Sequence, residues 1–374
     1  MAALRTLVLV GTLAVTAACG PGLPAAVQPA AAERPASTLI AGRLPQIGYL
    51  GGRFLRHPQI VTITFAGDDP ALVARLTQFG DTITRTPWWR EVTAGYCATA
   101  ADCVGDGRPG RHVVLERPPP PEMTEAAVAD LLAAAGPVDR ETVLALYLPA
   151  GTALIDAAGH RFCQSVARAE HRALDSGTAY AVVPRCGDEA ALTTAAGHEI
   201  LEATTNPDPS RPGFAFRRTA DAAGFASAGV EPADPCNLIN ADPVDTGGFR
   251  VPRAWSDHAA ALGHDPCAPA DVQRPYLALV PAVPVVQLTR AGQAVTIDVS
   301  VAADRPVRPW SVSATDLTGG CTESHLDRST ARPGETAHLT VTLRRPNDTH
   351  NCAIGLQSTL DGQTRLWPLA VSTR

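Results

Sequence analysis

Residues 195–207 read Ala-Ala-Gly-His-Glu-Ile-Leu-Glu-Ala-Thr-Thr-Asn-Pro, and they continue a run of good helix-forming residues that starts upstream. The sequence predicts a helix that ends near Thr205, because Pro207 disfavours helical geometry in the residue before it. On such a helix His198 and Glu202 are four residues apart and share one face. A helix of this kind must pack against a sheet or other helices, so the stretch decides the fold around it.

The polar side chains of this helix match a metal-binding pattern. His198, Glu199 and Glu202 have the spacing of the HExxH motif, with the second His replaced by Glu. In that motif the outer residues bind zinc, and the Glu between them accepts a proton from the metal-bound water. We therefore predict His198 and Glu202 as metal ligands, Glu199 as the catalytic base, and zinc or another divalent cation as the cofactor. The alternative is an exposed helix face with solvated polar side chains; the apolar strand predicted just upstream argues against it.

A metal site needs further ligands, and the acidic residues downstream of the helix are the first candidates. Glu231 and Asp234 lie three residues apart, next to Cys236, which we expect to be disulfide-bonded. Either carboxylate could supply the third protein ligand, and the alternative is an ordinary acidic loop. His160 and His171 are weaker candidates, because each alone is typical of a surface side chain. The weakest candidates are Asp257, His258 and His264.

Several classes of protein are excluded by features that the sequence lacks. A metzincin needs a Met-containing turn after the helix, but the Met residues are Met1 and Met123, both upstream of it. No G-x-S-x-G motif of a serine hydrolase and no Gly-rich phosphate-binding loop is present. The net charge is −6 without a basic cluster, which argues against nucleic acid as a partner.

Two regions with different patterns of apolar residues divide the chain. Strands and helices interleave in the first region, with strands predicted at 60–65, 143–148 and 179–183 and helices at 68–79 and 124–135. This order indicates an α/β (α+β) architecture. The second region has short alternating strands separated by turns, which is typical of an all-β immunoglobulin-like sandwich. We therefore predict one domain over residues 46–274 and a second over residues 275–374.

The N-terminus has the features of an export signal. A short segment with Arg5 precedes an apolar run that is too short to span a bilayer, which takes about 20 residues, and small residues precede Cys19. We predict a lipoprotein signal peptide at 1–18, a lipid on Cys19, and an Ala/Pro-rich tether at 19–45. The alternative is an ordinary signal peptide with an incidental Cys. The prediction anchors the chain by lipid to the extracellular face of the cell membrane.

The remaining cysteines indicate an oxidising compartment. The chain has nine Cys, and removal of Cys19 leaves an even number in an exported chain, so disulfides are expected. Connectivity cannot be derived from the sequence alone, but proximity along the chain favours the pairs Cys97–Cys103, Cys163–Cys186, Cys236–Cys267 and Cys321–Cys352. No CxxC pair is present, which argues against a Cys-based zinc site.

The motif helix and its downstream segment also carry a resemblance. The string from Gly197 to Pro207, followed by Glu231-Pro-Ala-Asp234-Pro-Cys236, resembles secreted bacterial proteins with the pattern His-Glu-x-x-Glu-x-x-Thr-Asp/Asn-Pro and then Glu-x-x-Asp-x-Cys. Plant phosphate-induced (EXORDIUM-like) proteins are similar over the same stretch, and the resemblance covers about residues 57–267. It implies a zincin-like fold for the first domain. Carried over residue by residue, it gives His198, Glu199 and Glu202 on the helix, with Glu231 and Asp234 downstream.

Two functions stay open from the sequence. The first is a cell-surface, metal-dependent, peptidase-like hydrolase that acts on a peptide or cell-wall substrate. The second is a non-catalytic cell-envelope binding or adhesion lipoprotein, in which the zincin-like fold is degenerate and the β-sandwich binds wall polymer or a partner protein. The metal also stays open, because a carboxylate in place of an imidazole makes harder cations more competitive with zinc.

Overall fold

The structure is a computed structural model that describes residues 44–134, 138–164, 169–216, 231–239, 242–270, 273–346 and 351–373. The predicted signal peptide at 1–18, the predicted lipid site at Cys19 and almost all of the predicted tether lie outside these ranges. Within them, no helix combines the length and the apolar character needed to cross a membrane.

The first region contains a central mixed β-sheet of five strands and several two-stranded sheets. Its strands are Ile47–Tyr49 (β1), Gln59–Phe65 (β2), Cys97–Thr99 (β3), Asp102–Cys103 (β4), Arg108–Leu115 (β5), Glu122–Thr124 (β6), Thr142–Tyr147 (β7), Ala153–Ile155 (β8), Glu170–Ala173 (β9), Ala179–Val183 (β10), Phe214–Phe216 (β11), Val244–Thr246 (β12), Phe249–Val251 (β13), Ala254–Trp255 (β14) and Cys267–Ala268 (β15). The central sheet has the order β5-β2-β7-β10-β9. Its first four strands are parallel neighbours, and β9 is antiparallel to β10 at one edge. Every residue of β7 and β10 is buried, which explains why both strands are apolar throughout rather than alternating.

The helices lie between and after these strands. They are Pro70–Thr82 (α1), Pro87–Thr93 (α2), Glu125–Ala133 (α3), Glu189–Thr205 (α4), Asp234–Leu238 (α5) and Asp257–Leu262 (α6). Side-chain oxygens of Asp69, Thr86, Thr124 and Asp188 accept backbone N–H groups in the first turns of α1 to α4, which satisfies donors that a helix start leaves free. The predicted interleaving of strands and helices in this region is therefore confirmed.

Helix α4 packs closely on its surroundings. Its buried residues include Leu192, Ala196, Ile200 and Ala203, which recur at the spacing of one helix face. A Cβ atom on Gly197 would lie 2.9 Å from Cδ of Pro252, so this close approach requires glycine just before His198. The packing fixes the position of the motif residues that follow.

The second region is a sandwich of two sheets. Its strands are Leu277–Pro281 (β16), Val285–Gln287 (β17), Ala294–Ala303 (β18), Trp310–Asp316 (β19), Thr322–Leu326 (β20), Thr330–Ala331 (β21), Thr336–Leu343 (β22), Asn351–Leu360 (β23) and Gln363–Ser372 (β24). One sheet has the order β16-β18-β22-β20 and the other has the order β17-β24-β23-β19-β21. Buried apolar residues from both sheets join the same core cluster, which also extends into the first region. The prediction of a β-sandwich is confirmed.

Four disulfides link cysteines that are near one another in the sequence. The pairs are Cys97–Cys103, Cys163–Cys186, Cys236–Cys267 and Cys321–Cys352. All four predicted pairings are confirmed. The third pair is fully buried and ties α5 to the strand β15.

Asp257, a weak ligand candidate in the sequence, has a different place in the fold. Its buried carboxylate accepts the backbone N–H of Ile47 at 2.7 Å, which holds the start of the described chain against α6. Burial raises the pKa of Asp257 from 3.8 to about 7, against the opposing effect of that hydrogen bond. Its oxygens are not among the described ligand atoms that lie close enough together to hold a metal ion.

The raised pKa of Asp257 predicts a pH-dependent stability. The folded chain keeps a proton that the unfolded chain releases, so this stabilisation is complete below about pH 4 and is lost as the pH rises through 7. We expect Asp257→Asn to match the parent protein near pH 4 and to exceed its free energy of unfolding by up to about 4 kcal/mol at pH 8. Urea unfolding of both proteins across this range measures the difference. A difference that does not grow with pH would contradict the assignment.

Candidate functional site

Helix α4 presents its motif residues to a cavity of about 840 Å³, within the usual size range of ligand pockets, about 300–1,000 Å³. His198, Glu199 and Glu202 all line it. Glu199 is 7% and Glu202 3% exposed, so the alternative of a solvated helix face is wrong. Nε2 of His198 lies 3.2 Å from Oε2 of Glu202, as their spacing of one helix turn predicts.

The segment at residues 231–238 brings two carboxylates to the same cavity. Oδ1 of Asp234 lies 3.5 Å from Nε2 of His198, and Glu231 lines the cavity beside it. The backbone N–H of Ala233, between these two residues, donates to Oε1 of Glu202 at 3.3 Å. The segment therefore meets α4 through main-chain and side-chain contacts, and both predicted downstream candidates lie in the site.

His171 also belongs to the site, although the sequence suggested a surface histidine. It lies on the edge strand β9, opposite Ala181 of β10, and only 7% of it is exposed. Its Nδ1 lies 3.2 Å from Oε2 of Glu199 and 3.6 Å from Oε2 of Glu202. The prediction was wrong because Glu-His-Arg-Ala is too short and too polar to be recognised as a strand, and only the fold brings it beside α4.

The site residues form one group, which we name the acid–histidine cluster; its members are His171, His198, Glu199, Glu202, Glu231 and Asp234. Two overlapping sets within it have ligand atoms that all lie within 4.8 Å of one another: His171, Glu202 and Glu231, and His198, Glu202 and Asp234. The sets share Glu202. The cluster thus offers imidazole nitrogens and carboxylate oxygens, which are ligands of zinc and of harder divalent cations.

Burial and charge set the proton affinities in the cluster. Burial raises the pKa of Glu202 to about 8, although the nearby His198 acts in the opposite direction. Burial lowers the pKa of His171, but the hydrogen bond to Glu199 and the negative charges of Glu202 and Glu231 outweigh it and raise the pKa to about 10. For His198 the same balance of burial against the charge of Glu202 holds the pKa well above 6.5. Protons thus occupy the cluster in the absence of a cation, and metal binding must displace them.

Arginine does not neutralise the cluster within the described ranges. Arg172 and Arg250 line the cavity, but their ion pairs are made elsewhere. Arg172 pairs with Glu125 and Glu170 on the other side of β9, and Arg250 pairs with Asp245. The acidic members therefore depend on the two histidines, or on a bound cation, for compensation.

The remaining candidates lie away from the cluster. His160 is an exposed side chain whose Nδ1 lies 3.0 Å from Oδ2 of Asp156, so its prediction as a surface histidine is confirmed. His258 and His264, on and just after α6, belong to neither set of close ligand atoms.

Asn206, which the sequence did not single out, orients the cluster. It is fully buried at the end of α4, its Nδ2 donates to Oε1 of Glu231 at 2.7 Å, and its Oδ1 accepts the N–H of Phe214 at 2.8 Å. One amide side chain therefore joins the helix end, strand β11 and a carboxylate of the cluster. Its sequence signals are its place before Pro207 and its match to the Asp/Asn position of the resembling pattern.

Loss of the Asn206 amide has a predictable cost. Asn206→Ala leaves the buried N–H of Phe214 without its acceptor, so we expect the free energy of unfolding to fall by about 1–3 kcal/mol. Urea unfolding measures it, with Asn237→Ala, an exposed asparagine of α5, as the matched control. Equal stability of the two variants would contradict the role given to Asn206.

Comparison with known proteins gives no family for this chain. No known protein family matches the sequence, and no curated protein matches it. Among solved structures, S-layer protein SbsC domains 4 and 5 align over 26% of this chain and 53% of that one, with 15% identity and a TM-score of 0.21. Titin M3 aligns over 26% of this chain and 95% of its own, with 12% identity and a TM-score of 0.18. A Bacteroides ovatus GH5 xyloglucanase aligns over 27% and 19%, with 11% identity and a TM-score of 0.18. The chain thus spans about half of the SbsC fragment, and likeness at these TM-scores carries no argument about function.

Proposed function

We propose that the chain is a divalent-metal-dependent hydrolase of peptide bonds, with the metal held by His198, Glu202 and Asp234. The observation that carries the proposal is the spacing of the ligand atoms. Nε2 of His198 lies 3.2 Å from the Glu202 carboxylate and 3.5 Å from that of Asp234. Ligands bound tetrahedrally at about 2.0–2.2 Å lie about 3.4 Å from one another, so both separations suit one shared cation.

Glu199 is the proposed proton acceptor. A divalent cation held by His198, Glu202 and Asp234 would lower the pKa of a water molecule at the site. Glu199 precedes Glu202 by less than one turn of α4 and lines the same cavity. Its Oε2 lies beside Nδ1 of His171, so its carboxylate is held in place before substrate binds.

A peptide is the proposed substrate because a strand edge lies along the cavity. Residues 169–172, which include most of β9, line its wall, and β9 is the last strand of the central sheet. An edge strand offers unpaired main-chain N–H and C=O groups, and an extended peptide can pair with them. Such pairing would bring a scissile carbonyl to the acid–histidine cluster. We also propose a zincin-like class for residues 46–274. The motif helix, packed against a mixed sheet with an antiparallel edge strand, supports this proposal.

The identity of the cation follows from the donor set. One imidazole and two carboxylates form an oxygen-rich site, in which Zn²⁺ competes with harder cations such as Mn²⁺. The experiment therefore uses both. The purified full chain is stripped with a chelator, reloaded with Zn²⁺ or Mn²⁺, and assayed on a mixture of fluorogenic peptides. We expect hydrolysis to stop on stripping and to return on reloading.

Two histidine variants make this test specific. His198→Ala should abolish the metal-dependent hydrolysis, whereas His160→Ala, which removes a histidine that also lies beside a carboxylate but on the surface, should leave it unchanged. Hydrolysis that survives both chelation and His198→Ala would reject the proposal.

We also propose that the chain acts at the outer face of the cell membrane, held by a lipid on Cys19. The apolar run and the small residues before Cys19, together with the four disulfides, which form in an oxidising compartment, support this location. The mass of the N-terminal peptide from the membrane fraction tests it. We expect a lipid-modified peptide that starts at Cys19 and its disappearance in Cys19→Ser. An unmodified N-terminus at another residue would contradict the anchor.

A further inference from the structure

Glu202 occupies the centre of the acid–histidine cluster. Its Oε2 lies 3.2 Å from Nε2 of His198 on one side and 3.6 Å from Nδ1 of His171 on the other. The two sets of close ligand atoms share Glu202 and no other residue, and no set combines both histidines. One cation at the His198 position therefore leaves His171 and Glu231 outside its coordination shell.

His171 is oriented like a metal ligand. Its Nδ1 lies 3.2 Å from a carboxylate oxygen of Glu199, and a hydrogen bond of this kind fixes the tautomer in metal-binding histidines. The other ring nitrogen, Nε2, is buried without a hydrogen-bond partner and lies 3.4 Å from Oε1 of Glu231. This separation is that of two ligands of one cation. Asn206 donates to the same oxygen of Glu231 and so orients the carboxylate from behind.

The negative charge of the acid–histidine cluster also favours a second cation. Glu199, Glu202, Glu231 and Asp234 carry four negative charges when ionised, and the arginines that line the cavity pair elsewhere. One divalent cation at the His198 position balances two of these charges and leaves only the His171 ring to compensate the other two in a largely buried site, which is costly. Two divalent cations neutralise all four.

We propose that the cavity binds two divalent cations bridged by the carboxylate of Glu202. His198 and Asp234 complete the first position, and Nε2 of His171 and the carboxylate of Glu231 complete the second. The inference rests on the proposed function, because the first position is the metal site proposed there. In peptide hydrolysis, one cation of such a pair would lower the pKa of the attacking water, and the other would polarise the scissile carbonyl.

Manganese alone is the probe for the second position. The purified full chain is stripped with a chelator and titrated with Mn²⁺, and bound metal is counted by mass spectrometry after desalting. We expect two Mn²⁺ for each parent chain and an electron paramagnetic resonance spectrum of an exchange-coupled pair. His171→Ala and Glu231→Gln should each bind one Mn²⁺ and give the spectrum of an isolated ion. Glu231→Gln keeps the shape of the side chain and covers the case in which His171→Ala does not fold.

The other outcomes separate this inference from the proposed function. His160→Ala, the surface control, should still bind two ions. A parent chain that binds one Mn²⁺ and keeps it in His171→Ala overturns the second position and leaves the first standing. A parent chain that binds one ion and loses it in His171→Ala overturns the pair as well. A parent chain that binds none overturns both proposals.

Discussion

Replacement of Glu199 by Gln is expected to lower kcat/KM for peptide hydrolysis by a factor of about 10²–10⁴, the usual contribution of a general base. The bound metal should stay, because Glu199 belongs to neither set of close ligand atoms. Gln also keeps an oxygen that can accept the Nδ1 proton of His171, so the orientation of that ring should persist. The variant therefore removes the proton acceptor with little change to its surroundings. Measurement of kcat/KM together with metal content tests both parts.

A glutamate at the start of the same helix provides the control. Glu189 pairs with Arg75 at 2.7 Å, and Glu189→Gln should change hydrolysis little. Full activity in Glu199→Gln would remove this residue as the base. A joint loss of metal and activity would instead make it a residue that positions the ligands.

Removal of the Cys236–Cys267 disulfide is expected to have a large effect on stability. The bond closes a segment of 31 residues, so the double variant Cys236→Ala/Cys267→Ala should lose about 4 kcal/mol of unfolding free energy by chain entropy. Cys236 is fully buried two residues after Asp234, so the variant also frees the segment that carries two carboxylates of the cluster. We expect weaker metal binding as well as lower stability, measured by urea unfolding and by metal titration.

The matched control is the Cys97–Cys103 pair, which is six residues apart in a short hairpin. Its removal should cost about 2 kcal/mol and leave metal binding unchanged, because the hairpin does not line the cavity. Equal metal affinity in both double variants would show that the Cys236–Cys267 bond does not hold the ligand segment.

The regular parts of the fold were predictable because their signals are local. The strand predicted at 179–183 is β10, and the predicted end of the motif helix near Thr205 is its observed end. The continuous apolar sequence of a buried parallel strand and a proline after a helix are both readable without knowledge of the rest of the chain. The disulfides were predictable for the same reason, since each bond joins neighbours in the sequence.

Only those contacts of the site that follow from a local sequence pattern could be predicted. Helix spacing alone joins His198 to Glu202. No local pattern joins His171 to Glu199, 28 residues away, because their contact depends on β9 pairing with β10 beside α4. The same is true of Asn206, whose partners Glu231 and Phe214 come from two other segments. Ligands supplied by short polar strands and loops thus depend on tertiary structure, whereas those on one helix face do not.

The second region shows the same limit. Alternating apolar residues predict strands at 283–288, 294–301, 310–314, 337–343, 353–357 and 366–371, but β16, β20 and the two-residue β21 lie outside these predictions. Leu277–Pro281 is buried throughout, so it lacks the alternation of a half-exposed strand. Thr322–Leu326 contains Glu, Ser and His between its two buried ends, and so its sequence is typical of a loop. Both segments form strands because they pair with the longer strands β18 and β22.

The central claim is that the acid–histidine cluster binds a divalent cation through His198, Glu202 and Asp234. A crystal of the full chain grown with Zn²⁺ and measured at the zinc absorption edge tests this most directly. The account predicts an anomalous peak about 2.0–2.2 Å from Nε2 of His198 and from an oxygen of each carboxylate. An ordered cluster without a peak would contradict it and would favour the non-catalytic envelope protein.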